Sequence, residues 1–151
     1  MSAPEILIAG CGTGQHSIQT ARTYKDCNVL AVDLSLASLS YAQRKTQELG
    51  IDNITYVQSD ILQLGGIGKT FDLIECVGVL HHMKEPIEGW KTLIDLLNPG
   101  GLLRIGLYSR RARKHITRIR RHLMTRFNGI DEESIRVCRE ELKQLKTKDA
   151  N

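Results

Sequence analysis

The chain has 151 residues, of which 41% are hydrophobic and 25% charged, with a net charge of +4. This composition excludes disordered and fibrous proteins and is typical of one globular domain with its own core. No apolar run approaches the ~18 residues of a membrane span, and no secretory signal pattern is present, so we expect a cytoplasmic protein. Four scattered cysteines without a C-x-x-C pair favour a reducing compartment and predict neither a metal site nor a disulfide framework.

The N-terminal pattern is a short apolar run followed at once by a glycine-rich turn. Residues 6–9 are all apolar, as a strand buried on both faces of a parallel sheet requires. Gly10, Gly12 and Gly14 follow, and a helical pattern begins directly after them. Glycines let the backbone turn and let a ligand lie against the main chain. The first N–H groups of the helix face the same gap, which predicts a site for a polar or anionic group.

The glycine spacing separates this turn from two other nucleotide-binding turns. The dinucleotide fingerprint G-x-G-x-x-G would need glycine at position 15, where this chain has Gln15. A phosphate-binding P-loop would continue with Gly-Lys-Ser/Thr, which does not follow here. The remaining alternative is a glycine-rich turn that holds no ligand.

Further strand patterns alternate with helical patterns along the chain. Strands are predicted at residues 28–33, 54–58, 71–76 and 102–108, with a turn at 98–101. Ser35 is placed to cap one helix and Pro86 to begin another. The apolar stripes of the three helices are Ile18, Ala21 and Tyr24; Leu39, Ala42, Thr46 and Leu49; and Ile87, Trp90, Ile94 and Leu97. The alternation predicts an α/β fold, a Rossmann-like, doubly wound parallel sheet of about five strands.

From residue 109 onward the pattern is helical. The first apolar stripe consists of Ala112, Ile116, Ile119, Leu123 and Phe127, and Asn128 with Gly129 ends it. Asp131 is placed to cap a second helix, whose stripe is Ile135, Cys138, Leu142 and Leu145. We therefore expect residues 1–108 to form the core and residues 109–151 to form an extension of two C-terminal helices.

The net positive charge belongs to one segment. Residues 109–126 contain eight arginines and lysines and no acid, so the rest of the chain carries a net charge of −4. A basic helix can bind nucleic acid by displacing counterions from phosphates. This segment lacks interleaved aromatic residues and its apolar stripe is regular. We therefore favour the solvated face of a packing helix over a nucleic-acid site.

Two acids follow strand ends and are predicted to converge on the glycine turn, because parallel strands end at one edge of the sheet. Asp33 ends the second strand, 23 residues beyond Gly10, where an acid accepts hydrogen bonds from ribose hydroxyls. Leu34 offers an apolar shelf to a nucleoside, and Asp60 and Ile61 are placed for an adenine amino group and ring. The alternative is that Asp33 merely caps the following helix, and that Asp60 merely caps the turn into residues 61 and 62.

A set of motifs resembles the class I S-adenosylmethionine-dependent methyltransferases. The motifs lie at residues 6–14, 32–33, 59–61, 71–83 and 97–103, and the resemblance covers roughly residues 4–108. Residues 9–16 also resemble the methyltransferase domain that bacterial proteins fuse to tetratricopeptide repeats. The resemblance implies S-adenosylmethionine as the cofactor, S-adenosylhomocysteine as its product, and transfer of a methyl group.

The resemblance also assigns roles at the glycine turn. Gly10, Gly12 and Gly14, with Cys11 between them, are expected along the methionine part of the cofactor, and the backbone near Val77 beside the sulfonium. Asp33 would hold the ribose, and Asp60 with Ile61 would meet the adenine.

One position departs from the family pattern. Family members often carry an acid two residues before the first glycine, where this chain has Ile8. Glu5 cannot replace that acid, because an odd offset along a strand places a side chain on the other face. We therefore expect a weaker hold on the methionine amino group and a lower cofactor affinity.

Methyl transfer needs little covalent help from the protein. Alignment of nucleophile, methyl group and sulfur supplies most of the acceleration, and a base is needed only if the acceptor carries a proton. His81 is the predicted catalytic residue and His82 the weaker candidate, because both follow the fourth strand. Cys11 is not expected to act as a nucleophile, since a small residue between glycines is sufficient reason for it.

The chain also resembles the family only in part. Class I methyltransferases usually finish their sheet with an antiparallel hairpin, and no sixth or seventh strand pattern follows here. We therefore expect a C-terminally incomplete domain, whose exposed sheet edge a second copy or a partner chain could cover. The methyl acceptor is expected to be a small molecule or a protein. The alternatives are a catalytically inactive cofactor-binding or regulatory module and, less favoured, an RNA methyltransferase.

Overall fold

The computed structural model describes residues 3–24, 26–126 and 131–148. Its sheet contains five parallel strands in the order β3-β2-β1-β4-β5. The strands are β1 (Glu5–Ala9), β2 (Asn28–Asp33), β3 (Ile54–Gln58), β4 (Phe71–Val77) and β5 (Leu97–Gly106). The predicted Rossmann-like α/β fold is therefore confirmed.

Three helices follow strands of the sheet, and two more follow β5. They are α1 (Gln15–Thr23), α2 (Leu36–Glu48), α3 (Pro86–Asp95), α4 (Lys114–Arg126) and α5 (Glu132–Lys148). Short 3₁₀ helices occur at Ile61–Gly66 and Leu80–His82. Ser35 caps α2 by accepting a hydrogen bond from the Ser38 N–H at 3.2 Å, and Pro86 begins α3, as predicted.

Both faces of the sheet are covered because its central strands are apolar on both sides. In β1, Leu7 and Ala9 belong to one core cluster, which also contains Leu93 of α3. Ile6 and Ile8 belong to the other cluster, together with residues of α1 and α2. Successive strand residues point to opposite faces, so a strand buried on both sides must be apolar throughout. All four of these β1 residues are no more than 2% exposed.

The strand order places a topological switch point beside β1. The chain moves from β1 outward to β2 and β3, and then crosses to β4 and β5 on the other side. The connections that leave the carboxyl ends of β1 and β4 therefore diverge, which opens a crevice at this edge of the sheet. Within the described residues β5 is an edge strand.

The fifth strand begins earlier than predicted. Leu97 already pairs with Phe71, and the next pair in register is Leu73 with Leu102. Residues 98–101 thus form an excursion within β5, between two paired segments, and Gly100 has a φ of +81° there. The expectation of a turn preceding the strand is corrected accordingly. The strand ends at Gly106 and not at residue 108.

Two predicted helix stripes extend too far. Tyr24 is 52% exposed just beyond α1, and Leu49 is 53% exposed just beyond α2. In α1 the buried side includes Ser17 and Thr20 with Ala21. Both overestimates concern the residue directly after the last helical residue.

The predicted buried face of α3 is wrong. Ile87, Trp90 and Ile94 are 60%, 37% and 49% exposed, whereas Leu93 is fully buried and Leu96 is 5% exposed. Gly89 explains the rotation: a Cβ at this position would lie 2.6 Å from the Met83 sulfur. The helix approaches the protein on its glycine side, and the Ile87 stripe is turned outward.

Residues 108–151 form a second compact unit, separate from residues 1–107. Ser134 N–H donates to the Asp131 carboxylate at 2.7 Å, which confirms Asp131 as the cap of α5. In α4 the predicted apolar stripe is not buried, since Ile116 is 44% and Ile119 37% exposed. Phe127, Asn128 and Gly129 lie outside the described residues.

Among the described residues, no helix combines the length and the apolar character that crossing a membrane would require.

The orientation of α3 can be tested with two neighbouring substitutions. Leu93→Ala removes a fully buried side chain and should lower the free energy of unfolding by about 2–5 kcal/mol. Ile94→Ala is the matched control and should change it by less than about 1 kcal/mol, because Ile94 is 49% exposed. Urea denaturation followed by circular dichroism measures both. The reverse order would mean that the predicted stripe is the buried one.

Candidate functional site

The turn after β1 is closed by backbone hydrogen bonds to β2. The N–H groups of Gly10 and Cys11 both donate to the Val32 carbonyl, at 2.8 and 2.9 Å. Gly14 directly precedes α1, and no side chain among the described residues caps that helix. The first N–H groups of a helix have no partner within it, so here they depend on water or on a ligand.

Glycine is required at positions 12 and 14 of the turn for different structural reasons. At Gly14, φ is +85° and a Cβ would lie 2.6 Å from the Ala42 Cβ and 3.0 Å from the Tyr56 hydroxyl. At Gly12, φ is +53° and no described atom lies within 4 Å of the corresponding Cβ position. Gly14 is therefore packed against α2 and β3, whereas Gly12 faces the open space that a ligand lying on the main chain needs.

Asp33 connects the end of β2 to this turn. Its carboxylate accepts a hydrogen bond from the Gly12 N–H at 2.8 Å and another from the Ser35 N–H at 2.9 Å. The cap of α2 is Ser35, so Asp33 does not serve as the helix cap that the alternative interpretation required. A carboxylate accepts about four hydrogen bonds, which leaves capacity for a ligand.

A small cavity of about 170 Å³ lies beside Asp33. The residues predicted for a nucleoside, Asp33, Leu34, Asp60 and Ile61, all contribute to its wall, and so does Gly10, which was predicted for the methionine part. Val32, Ser59, Gly78, Val79, His82 and Met83 complete the wall. Asp60 also caps the following 3₁₀ helix by accepting from the Leu62 N–H at 2.9 Å, so its two roles are compatible. The cavity combines apolar walls with two carboxylates, as ligand pockets commonly do.

A larger cleft of about 640 Å³ opens on the other side of Gly10. Gly10, Cys11, Gly12 and Val77, which the resemblance assigns to the methionine part of the cofactor and its sulfonium, all contribute to its wall. Residues along the whole length of α1, from Gln15 to Thr23, also line it, together with Glu75 and Arg104. Because Gly10 lines both spaces, an elongated ligand could occupy the small cavity and the cleft together.

The cleft contains a buried acid that sequence analysis missed. Glu75, in β4, is 4% exposed, and its carboxylate accepts hydrogen bonds from the Thr20 hydroxyl and the Arg104 guanidinium, both at 2.8 Å. His16 Nε2 lies 3.3 Å from the same carboxylate. Burial of a carboxylate is costly unless it is paired and hydrogen-bonded, and this network supplies both. The available signal was an acid within the otherwise apolar core of β4.

Two predicted residues lie outside both cavity walls. Gly14 serves packing against α2, as described above. His81 has both ring nitrogens buried, and its ring lies 4.2 Å from that of His82. His82 is the histidine that lines the small cavity. The difference arises in the 3₁₀ helix at Leu80–His82, where adjacent residues point in different directions.

The Cys11 thiol is held in an unreactive state. Burial, and secondarily the nearby Asp33 carboxylate, raise its pKa to about 11. Burial also raises the pKa of Cys76, on β4, to about 11. The thiolate is the nucleophilic form, so a raised pKa argues against covalent chemistry at Cys11. This agrees with the expectation that Cys11 is present for its small size.

Thiol modification tests this arrangement. At pH 8 a thiol with a pKa of about 11 is roughly one part in a thousand thiolate. Iodoacetamide should therefore modify Cys138, which is half-buried in α5, well before Cys11 or Cys76. Mass spectrometry of peptides taken at successive times gives the order, and labelling in urea provides the control in which protection is lost. Equally rapid labelling of Cys11 would contradict the structure.

Comparison with known proteins identifies similar chains. The family model described as a methyltransferase domain matches residues 6–101. An uncharacterized protein of Synechococcus is 37% identical over 117 residues, covering 77% of this chain and 28% of that protein. A probable (S)-tetrahydroprotoberberine N-methyltransferase 2 of Papaver bracteatum is 33% identical over 79 residues, which cover 52% of this chain and 22% of the enzyme.

Among solved structures, PKMT2 from Rickettsia typhi in complex with AdoHcy is similar to this chain. It has 26% identity and a TM-score of 0.73, covering 82% of this chain and 25% of PKMT2. A second structure of PKMT2 has a TM-score of 0.80 and covers 94% of this chain and 28% of PKMT2. The chain thus spans about a quarter of the length of these relatives. Its sheet topology, its glycine turn and the match over residues 6–101 establish that the chain belongs to the methyltransferase domain family.

Proposed function

We propose that this domain binds S-adenosylmethionine at the carboxyl edge of the sheet and transfers its methyl group to a small molecule or a protein, leaving S-adenosylhomocysteine. The observation that carries the proposal is the contact between Asp33 and the Gly12 N–H at 2.8 Å. It joins an acid at the end of β2 to a turn whose glycine faces open space. The similarity to an AdoHcy-bound structure supports the same cofactor.

The residues present fit the adenosine part of this cofactor. The Asp33 carboxylate retains acceptor capacity for ribose hydroxyls, and Asp60 for an adenine amino group. Leu34 and Ile61 supply apolar contacts in the same cavity. Leu34 is 67% exposed, so covering it would bury apolar surface that is now in water.

The larger cleft suits the methionine part. Gly12 presents main chain to open space, and Gly10 and Val77, the last residue of β4, also line the cleft. When bound, the cofactor supplies an electrophilic methyl group. The protein's contribution is to hold the reacting groups in line and to exclude water. His82 lines the small cavity, which suits the adenosine part, and His81 lines neither cavity, so neither predicted histidine lies on the wall of the cleft that would hold the methyl group.

The acceptor is the least constrained part of this proposal. One relative is named as an N-methyltransferase, and this chain covers only 22% of its length. An inactive cofactor-binding module remains the alternative, which binding without methyl transfer would identify. An RNA acceptor is less favoured, although Arg110, which precedes α4, and Lys114, Arg118 and Arg121 of α4 line one cavity of about 510 Å³.

Removal of the Asp33 carboxylate should weaken cofactor binding. We expect Asp33→Ala to reduce the affinity for S-adenosylmethionine and S-adenosylhomocysteine by about 10- to 100-fold, since hydrogen bonds to a charged group are lost. Isothermal titration calorimetry measures the affinities. Asp52→Ala, which removes an exposed acid before β3, is the matched control.

Asp33 also holds the Gly12 turn, so the melting temperature of each variant must be recorded with its affinity. Wild-type protein that binds neither ligand at millimolar concentration would overturn the proposed function. An Asp33→Ala variant that binds as tightly as the wild type would remove Asp33 from the site.

The two glycines should respond differently to alanine. Gly12→Ala meets no described atom, so its cost is the left-handed backbone alone, roughly 1–2 kcal/mol. The Gly12→Ala variant should still lose at least about 10-fold in cofactor affinity, because the alanine side chain enters the space that the ligand needs. Gly14→Ala should lower the free energy of unfolding further, because its Cβ would meet Ala42 and Tyr56.

Urea denaturation and calorimetry on both glycine variants separate these effects. The assignment fails if Gly12→Ala binds cofactor normally, or if Gly14→Ala is the more stable variant.

A further inference from the structure

Three neighbouring strands place their side chains in one row across the sheet. Ile8 of β1 is in register with Glu75 of β4, and Glu75 is in register with Arg104 of β5. Residues paired in register on parallel strands point to the same face of the sheet. Ile8 belongs to the core cluster on the α1 side, and Thr20 of α1 contacts Glu75. The row therefore lies beneath α1, and its charged end reaches the cleft.

The Glu75 carboxylate lies directly beside the position at which the acid of β1 is absent. Ile8 occupies that position and is 1% exposed. Glu75 is next to it on the adjacent strand and lines the cleft together with Gly10 and Gly12. A carboxylate on β4 can therefore reach the same part of the cleft as one on β1, without any change in the strand order.

The partner of Glu75 is far more exposed than Glu75 itself. The side chain of Arg104 is 63% exposed, whereas that of Glu75 is 6% exposed. Only the Nη1 atom of Arg104 forms the 2.8 Å contact with Glu75, and a guanidinium carries five N–H donors in all. Arg104 can thus keep its contact with Glu75 and still offer donors to an anion in the cleft.

A carboxylate next to a guanidinium is complementary to the two charges of an amino acid. The ammonium group requires acceptors, and the Glu75 carboxylate, with about four acceptor positions, has capacity beyond Thr20, Arg104 and His16. The carboxylate requires donors, which Arg104 provides in a planar arrangement. The uncapped first turn of α1 lies on the same cleft and adds a favourable potential for an anion.

We infer that Glu75 binds the α-ammonium group, and Arg104 the α-carboxylate group, of the amino-acid end of the cofactor. This inference rests on the proposed function, because it concerns the same ligand. The sequence predicts a weak hold on the amino group because β1 has Ile8 in place of an acid. Under the present inference, Glu75 of β4 supplies that acid instead. The opposing interpretation is that Glu75, Thr20 and Arg104 form a structural network that fastens α1 to the sheet.

Three probes distinguish these interpretations by calorimetry. S-adenosylhomocysteine carries both charged groups, its decarboxylated analogue carries only the amine, and 5′-methylthioadenosine carries neither. Glu75→Gln should weaken binding of the first two by about 10- to 100-fold and change the third by less than about twofold. Arg104→Gln should weaken binding of S-adenosylhomocysteine alone. Glu88→Gln and Arg22→Gln, at exposed positions outside both cavities, are the charge-matched controls.

The outcomes separate the two proposals. Loss of 5′-methylthioadenosine affinity in parallel with that of S-adenosylhomocysteine would show a structural network and overturn the inference. Variants that bind S-adenosylhomocysteine like the wild type would overturn it too, while leaving the proposed function intact. Wild-type protein that binds none of the three probes would instead remove the proposed function, and the inference with it.

Discussion

The hydrogen bond between the Gly12 N–H and the Asp33 carboxylate organises the functional edge of this domain. It joins the turn after β1 to the end of β2 and fixes the direction in which the Asp33 side chain points. The turn is further held by the Val32 carbonyl, which accepts from two of its N–H groups. Both spaces that a ligand could enter then meet at Gly10. With the carboxylate facing another direction, Asp60 would be the one acid among the residues that line the small cavity.

This arrangement is possible because the sheet is apolar where it is covered and polar where its strands end. β1 is buried on both faces, so polar side chains have no place along most of its length. The carboxyl edge is different, because loops of variable chemistry leave it in diverging directions at the switch point. Glu75 is the exception, since it is an acid within the covered part of β4. Its hydrogen bonds with Arg104 and Thr20 compensate for the cost of burying its charge, so the wall of the cleft carries a paired, buried acid.

Local patterns in the sequence were sufficient for much of the fold. Strands β2 and β3, the cap at Ser35 and the start of α3 at Pro86 depend on short-range preferences, and the structure agrees with the prediction at each. The helix faces were predicted less well. Leu93 and Ile94 are adjacent in the sequence, so a rotation of α3 by one residue exchanges the buried and the exposed position, and periodicity did not decide between them. Close packing of Gly89 against Met83 decided it.

The candidate site, like the fold, was predicted from the sequence only in part. The sequence alone determined the parallel α/β architecture, the glycine turn, and the placement of Asp33 and Asp60 at one edge, because parallel strands end together. Only the tertiary structure decided that Glu75 lies beside Ile8 and Arg104, and that His82 lines the small cavity in place of His81. The physical reason is that register between strands far apart in the chain is set by packing across the whole sheet. No local pattern in the sequence records that register.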